Sequence, residues 1–232
     1  HSSVARTFRH MAHQYLFQCD YEQAVRYYEE SVRIERTQIE IDHRRIILSL
    51  NSIGMIYGMI GKHEKAIETY AQSLAIQKAN LGDTHPQVAE TLNSMGIVYG
   101  MMGVFDKSVE CYSEALFIKI RRHGPEHIDV ADVHFNLGLV HNKRGDHDSA
   151  ISCYQEALRI RKDKFGDEHE EVARVLHHIG VALSDMGEVG DAMRFYEECL
   201  RIRRLILGDE HEDVAVEVEE WGGGGGGGGG GG

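Results

Sequence analysis

A single interval, 42 residues, runs through the chain. His43, His85, His127, His169 and His211 mark it; so do Gly54, Gly96, Gly138 and Gly180, then Gly61, Gly103, Gly145 and Gly187, then Tyr28, Tyr70, Tyr112, Tyr154 and Tyr196. A first unit keeps the register with Ala12 and Cys19 in place of the two glycines. Self-similarity at roughly 20–50 residues is the signature of stacked supersecondary units, each too small to bury its own apolar face and dependent on a neighbour. The period therefore predicts an array of like units.

The unit itself reads as two helices. Val88, Ala89, Leu92, Met95, Gly96 and Tyr99 recur at three- and four-residue steps and line one helical face. Pro86 suits the first turn, where a missing N–H is not needed, and Gly103 stands where the chain must reverse, so a first helix, A, is predicted over about 86–101. Val109, Tyr112, Ala115, Leu116 and Lys119 carry a second helix, B, to about Arg122, followed by the connector His123-Gly124-Pro125-Glu126-His127. Gly96 lies inside helix A, where glycine costs roughly 1 kcal/mol against alanine, yet four units carry it. Close approach of helix B is the physical reason, with Ala66, Ser108, Ala150 and Ala192 as the expected small partners.

The predicted fold is all-α, a right-handed superhelical solenoid of antiparallel helix pairs. Five hairpins fall at approximately 1–43, 44–85, 86–127, 128–169 and 170–211. Residues 214–221 begin an incomplete sixth unit or capping helix, with Val214, Ala215, Val218 and Trp221 in register, and the glycines at 222–232 are expected to form a flexible tail. The chain opens at His1 rather than an initiator methionine, which reads as a piece of something longer.

Charge and cysteine usage narrow the function classes. Twenty-five Lys and Arg face 37 Asp and Glu, a formal charge of −12, which opposes binding to nucleic-acid phosphates or anionic membrane surfaces. No apolar run reaches the roughly 18 residues of a membrane span. Cys19, Cys111, Cys153 and Cys199 lack the close pairing of zinc or thiol-exchange motifs and read as free thiols, so a cytoplasmic setting is expected. Fifteen histidines invite a metal reading, but none of His10/His13, His134/His141 or His177/His178 has the i, i+4 spacing of a helical metal pair. The histidine ladder precedes each helix A, where a side chain can satisfy orphan N–H groups. The expectation is no enzyme, no catalytic residue, no metal and no cofactor.

The recurrent Leu92-x2-Met95-Gly96-x2-Tyr99, followed by Ser108, Tyr112 and Ala115, resembles the tetratricopeptide pattern. The long period and connectors such as Leu81-Gly82-Asp83-Thr84-His85-Pro86 and Phe165-Gly166-Asp167-Glu168-His169 are similar to the repeats of kinesin light chains, over residues 4 to about 221. That resemblance implies a protein-interaction adaptor whose helices A line a concave groove for short peptide segments of a protein partner. Thr91-Leu92-Asn93 and Ser49-Leu50-Asn51 resemble the family's cargo-facing stretch, and Asn142-Lys143-Arg144-Gly145 its basic end.

In the register that the resemblance implies, Asn51, Met55 and Met59 face the groove in the second unit and Asn93, Ile97 and Met101 in the third. Phe135, Leu139 and Lys143 do so in the fourth, and Arg174 and His177 in the fifth. Equivalent side chains on neighbouring units lie ~10 Å apart by helix packing, matching ~10 Å for three residues of an extended strand. Asn51 and Asn93 are thereby expected to grip one ligand backbone. Met59-Ile60 and Met101-Met102 replace the family's basic residues, which makes this stretch greasier and less attractive to acidic cargo. Glu219-Glu220-Trp221 resembles the acidic-flanked tryptophan that the family captures, a route to self-association through the C-terminal end set against a plain capping role for Trp221. The alternative reading is a regulatory or structural repeat region of a larger enzyme or signalling protein.

Overall fold

The computed structural model describes residues 2–38 and 41–208, so His211, the incomplete sixth unit at 214–221 and the glycines at 222–232 lie outside the described residues. Ten helices and no strand occur among the described residues, and they fall into two compact units, His1–Pro125 and Glu126–Gly232.

The first unit holds three helix pairs: α1 (Ser2–Phe17) with α2 (Tyr21–Arg36), α3 (His43–Met59) with α4 (His63–Leu81), and α5 (Pro86–Met101) with α6 (Phe105–His123). α3 and α5 are each buried on two sides, against their own partner and against the second helix of the pair before, while α1 packs against α2. Val88, Ala89, Leu92 and Met95 of α5 form one cluster with Ala66 and Tyr70 of α4 and with Cys111, Ala115 and Ile118 of α6. One turn of the array earlier, Ile53 and Ile56 of α3 close over Ala24, Val25 and Tyr28 of α2. The three- and four-residue spacing of apolar side chains thus covers more than one pair can hide by itself, and the surplus is what stacks the pairs.

The second unit repeats the arrangement with α7 (Ile128–Arg144), α8 (His147–Phe165), α9 (Glu170–Asp185) and α10 (Val189–Leu207). Val172, Ala173 and Leu176 of α9 meet Cys199 and Ile202 of α10, with Leu158 of α8 packed against them.

Helix ends follow the local chemistry. At every turn within a pair a backbone N–H reaches back five residues, from Asp20 to Tyr15, Lys62 to Tyr57, Val104 to Tyr99, Asp146 to His141 and Glu188 to Leu183, at 2.8–2.9 Å. The residue before each donor has positive φ, which is glycine at 61, 103, 145 and 187 but Cys19 in the first pair, at φ 59°. Between pairs, His85, His127 and His169 cap α5, α7 and α9, each Nδ1 accepting the N–H two residues on at 3.1–3.3 Å. His43 departs from the ladder: Asp42 is the cap and His43 is the first residue of α3.

The helical glycines sit against tyrosine rings. A Cβ at Gly54 would lie 2.8 Å from Tyr70, one at Gly96 2.9 Å from Tyr112, one at Gly180 2.5 Å from Tyr196, and one at Gly138 nearer still to Tyr154. The notch expected to admit small residues of the second helix therefore admits an aromatic ring. Ala66, Ala150 and Ala192 are buried on the same helices, and Ser108 donates its hydroxyl to the carbonyl of Gly96 at 2.7 Å.

Candidate functional site

Past its first turn α3 is apolar on nearly every side. Ile46, Ile47, Leu50, Ile53 and Ile56 are buried in the core, yet the opposite face carries Leu48, Met55 and Met59, all exposed. On α5, Val88, Leu92, Met95 and Val98 are buried and Ile97 and Met101 are exposed. The two helices come close at Gly58, where a Cβ would stand in ordinary contact, 3.5 Å from Val98 Cγ2.

Met55, Met59, Ile97 and Met101, with Gly58, Tyr70, Ser94 and Val98, enclose a pocket of about 220 Å³. Its rim is open, with Met59 59% and Met101 60% exposed. Tyr70 sits in the pocket wall, its phenol pushed up by burial and partly offset by the Ser94 hydroxyl. Contiguous apolar surface left in water by two neighbouring helices marks a contact site, and thioethers can fit themselves to varied side chains.

Of the two asparagines expected to grip a ligand backbone, Asn51 already has a partner within the chain. Asn51 is half-buried and reaches Thr91 of the next pair: its Nδ2 donates to Thr91 Oγ1 at 3.2 Å, and that hydroxyl also accepts from the buried Gln77 Nε2 at 2.9 Å. Asn93 is half-buried at the equivalent place on α5. In the first pair the same register position is Arg9, which pairs with the buried Glu35 at 2.7 Å. Along this column Arg9 thus meets the buried Glu35 directly, whereas Asn51 is linked to the buried Gln77 only through the Thr91 hydroxyl.

In the second unit that column carries Phe135, which is only 7% exposed. Its ring lies under the guanidinium groups of Arg161 at 4.8 Å and Arg174 at 5.1 Å, and against Tyr154 and His178 at 5.7 and 5.1 Å. Arg161 is buried and held by Asp132 at 2.9 Å and Glu171 at 3.0 Å, while the exposed Arg174 pairs with Glu171 at 2.6 Å. Phe135 therefore offers little surface to a visitor, and the exposed group at this place is Arg174. Leu139 is half-buried, Lys143 is exposed, and His177 is half-buried with its ring edge-on to His178 at 5.3 Å. Burial, reinforced by His177, Arg174, Arg203 and Arg161, lowers the His178 imidazole to about 4.

Phe17 was not among the residues that the sequence picked out. It occupies the position of Met59 and Met101 in the 42-residue register and is 83% exposed. The signal was the interval itself, hidden because the first unit lacks both landmark glycines. Among the described residues no group of three or more His, Cys, Asp or Glu converges as metal ligands would, and no helix is long and apolar enough to cross a membrane. Burial of Cys111 and Cys153 raises both thiols to about 11, and Cys199 is wholly buried.

Paired helices, glycine notches and an open apolar face define a helical-repeat scaffold. The tetratricopeptide repeat profile matches residues 3–79, 61–119, 87–163 and 129–205, and the chain belongs to that family. No curated relative matches the sequence. Among solved structures, BtubC (BKLC) from P. vanneervenii superposes with a TM-score of 0.79 at 22% identity, over 89% of this chain and 82% of that one. A protein of Podosopora anserina described as a kinesin light chain with nearly identical TPR-like repeats gives 0.77 at 20%, over 89% and 98%. The Rap conjugation gene regulator of plasmid pLS20, solved in complex with the Phr* peptide, gives 0.61 at 20%, over 89% of this chain and 54% of that one. The chain thus shares its repeat fold with these structures, and that fold typically serves protein–protein contact.

Proposed function

We propose that the chain is an interaction scaffold of the kinesin light chain type that holds a short peptide segment of a partner protein on the exposed face of its first helices. The observation that carries this is the open apolar pocket between Met55, Met59, Ile97 and Met101 on two helices that are already apolar toward the core. A side chain left in water there gains by being covered, at about 25 cal/mol per Å² of apolar surface. The Rap structure, with a peptide on a fold of the same class, supports the same use.

Peroxide footprinting tests it. Peptides selected from a displayed random library on the immobilised chain should slow the oxidation of Met59 and Met101 to sulfoxide, with the exposed Met186 and Met193 as internal controls. Selected peptides that leave the Met59 and Met101 oxidation rates unchanged would place the binding elsewhere and refute the proposal.

A further inference from the structure

Between Ile46 and Gly61 the one ionisable side chain is Tyr57, and between Thr91 and Val104 it is Tyr99. The pocket therefore lies on two uncharged stretches, at the C-terminal ends of α3 and α5, where the aligned peptide dipoles leave a partial negative charge. Phe17, Met59 and Met101 give three successive pairs a large exposed apolar side chain at the same register position, whereas Lys143 and Asp185 stand there in the second unit. Net charge divides the same way. Residues 1–125 hold fourteen Lys and Arg and fourteen Asp and Glu, so the whole excess of acid falls after residue 125.

We infer that this surface selects an uncharged, apolar peptide segment of a partner protein and rejects acidic ones. One apolar side chain fills the pocket between Met55, Ile97 and Met101, and its neighbours lie along Phe17 and Met59. The inference rests on the scaffold function proposed above and adds its selectivity. A carboxylate entering the pocket gives up hydration that none of the lining residues, all uncharged, restores, and it approaches the negative ends of two helices. A neutral first unit also supplies no long-range field to draw a charged segment in. A volume of about 220 Å³ admits one large side chain, and flexible thioethers let that be Leu, Met or Phe. Selectivity here comes chiefly from what the site penalises.

The test is a random dodecapeptide library displayed against the full chain, against Met101→Glu, against Arg174→Glu at the exposed arginine of α9, and against Arg194→Glu, a charge change at an exposed position of the second unit. Enriched peptides should carry a recurrent Leu, Met or Phe with Asp and Glu depleted around it. Their binding should fall about tenfold or more in Met101→Glu and stay unchanged in Arg194→Glu. Met101 is exposed, and matching thermal melts confirm that the variant folds. Enrichment of acidic peptides that Met101→Glu retains and Arg174→Glu loses overturns the inference while leaving the scaffold function standing. Absence of any enriched peptide overturns both. Sedimentation of the wild type as a dimer that Met101→Glu dissociates makes the occupant a second copy of the chain and likewise overturns the inference.

Discussion

Replacing Gly138 by alanine sets two physical effects of known sign against each other. Alanine in a helix interior is worth roughly 1 kcal/mol over glycine, so an isolated α7 would gain. Its Cβ, however, would fall inside contact distance of the Tyr154 ring. That ring has nowhere to go: Tyr154 is fully buried, with Phe135 at 5.7 Å on one side and His178 at 5.8 Å on another. Overpacking of this kind costs ~1–3 kcal/mol, and a locked ring belongs at the upper end, so Gly138→Ala should destabilise the chain by about 1–2 kcal/mol net. Gly190, in the first turn of α10, is the control, because a Cβ there meets nothing within 4 Å. Gly190→Ala should be neutral or stabilising by a few tenths of a kcal/mol or more. Ala12 shows what relaxes the constraint: it holds the same register position opposite Tyr28, on a helix that packs chiefly against α2. Urea denaturation followed by circular dichroism gives the midpoints, and Tyr154→Leu should couple to Gly138→Ala in a double-mutant cycle. A Gly138→Ala midpoint equal to or above wild type would refute the notch argument.

Three further outcomes follow from local geometry. Cys19 occupies the positive-φ position that glycine holds in the other four pairs, so relief of ~1–2 kcal/mol of strain less glycine's entropy should make Cys19→Gly more stable by ~0.5–1 kcal/mol, read as a raised Tm; an unchanged or lower Tm contradicts this. Thr91→Val removes the nearer acceptor of the buried Gln77 amide, leaving only the Ser73 hydroxyl at 3.5 Å, and should cost ~1–3 kcal/mol; a urea midpoint like wild type would show the network to be idle. His178 is held at about 4 when folded but takes its proton near pH ~6.5 when unfolded. The unfolded chain therefore binds more protons between those values, and stability should fall as pH drops through that window by up to ~3 kcal/mol. His178→Leu should flatten that part of the Tm–pH profile relative to wild type, and parallel profiles would count against the burial argument.

Helix positions, turns and caps were legible in the chain because they depend on neighbours in sequence. Pro86 opens α5, Gly103 turns it into α6, and His85, His127 and His169 cap the helices that follow them. The glycine inside each first helix announced a close approach, since its local cost needs a compensating contact. What fills the notch was not legible: a tyrosine sixteen residues on and a small residue twelve residues on both fit the spacing, and only the packed helices show the ring in place. The candidate face divided in the same manner. Met55, Met59, Ile97 and Met101 were found by register and do share one pocket, whereas Asn51 is engaged by Thr91, forty residues away, and Phe135 lies beneath two arginines from other helices. By itself the sequence determined the period, the helices and the turns, which arise from backbone chemistry within a few residues. Tertiary structure alone decided which polar and aromatic side chains are free to meet a partner, because that depends on how side chains from different repeats satisfy one another once desolvated.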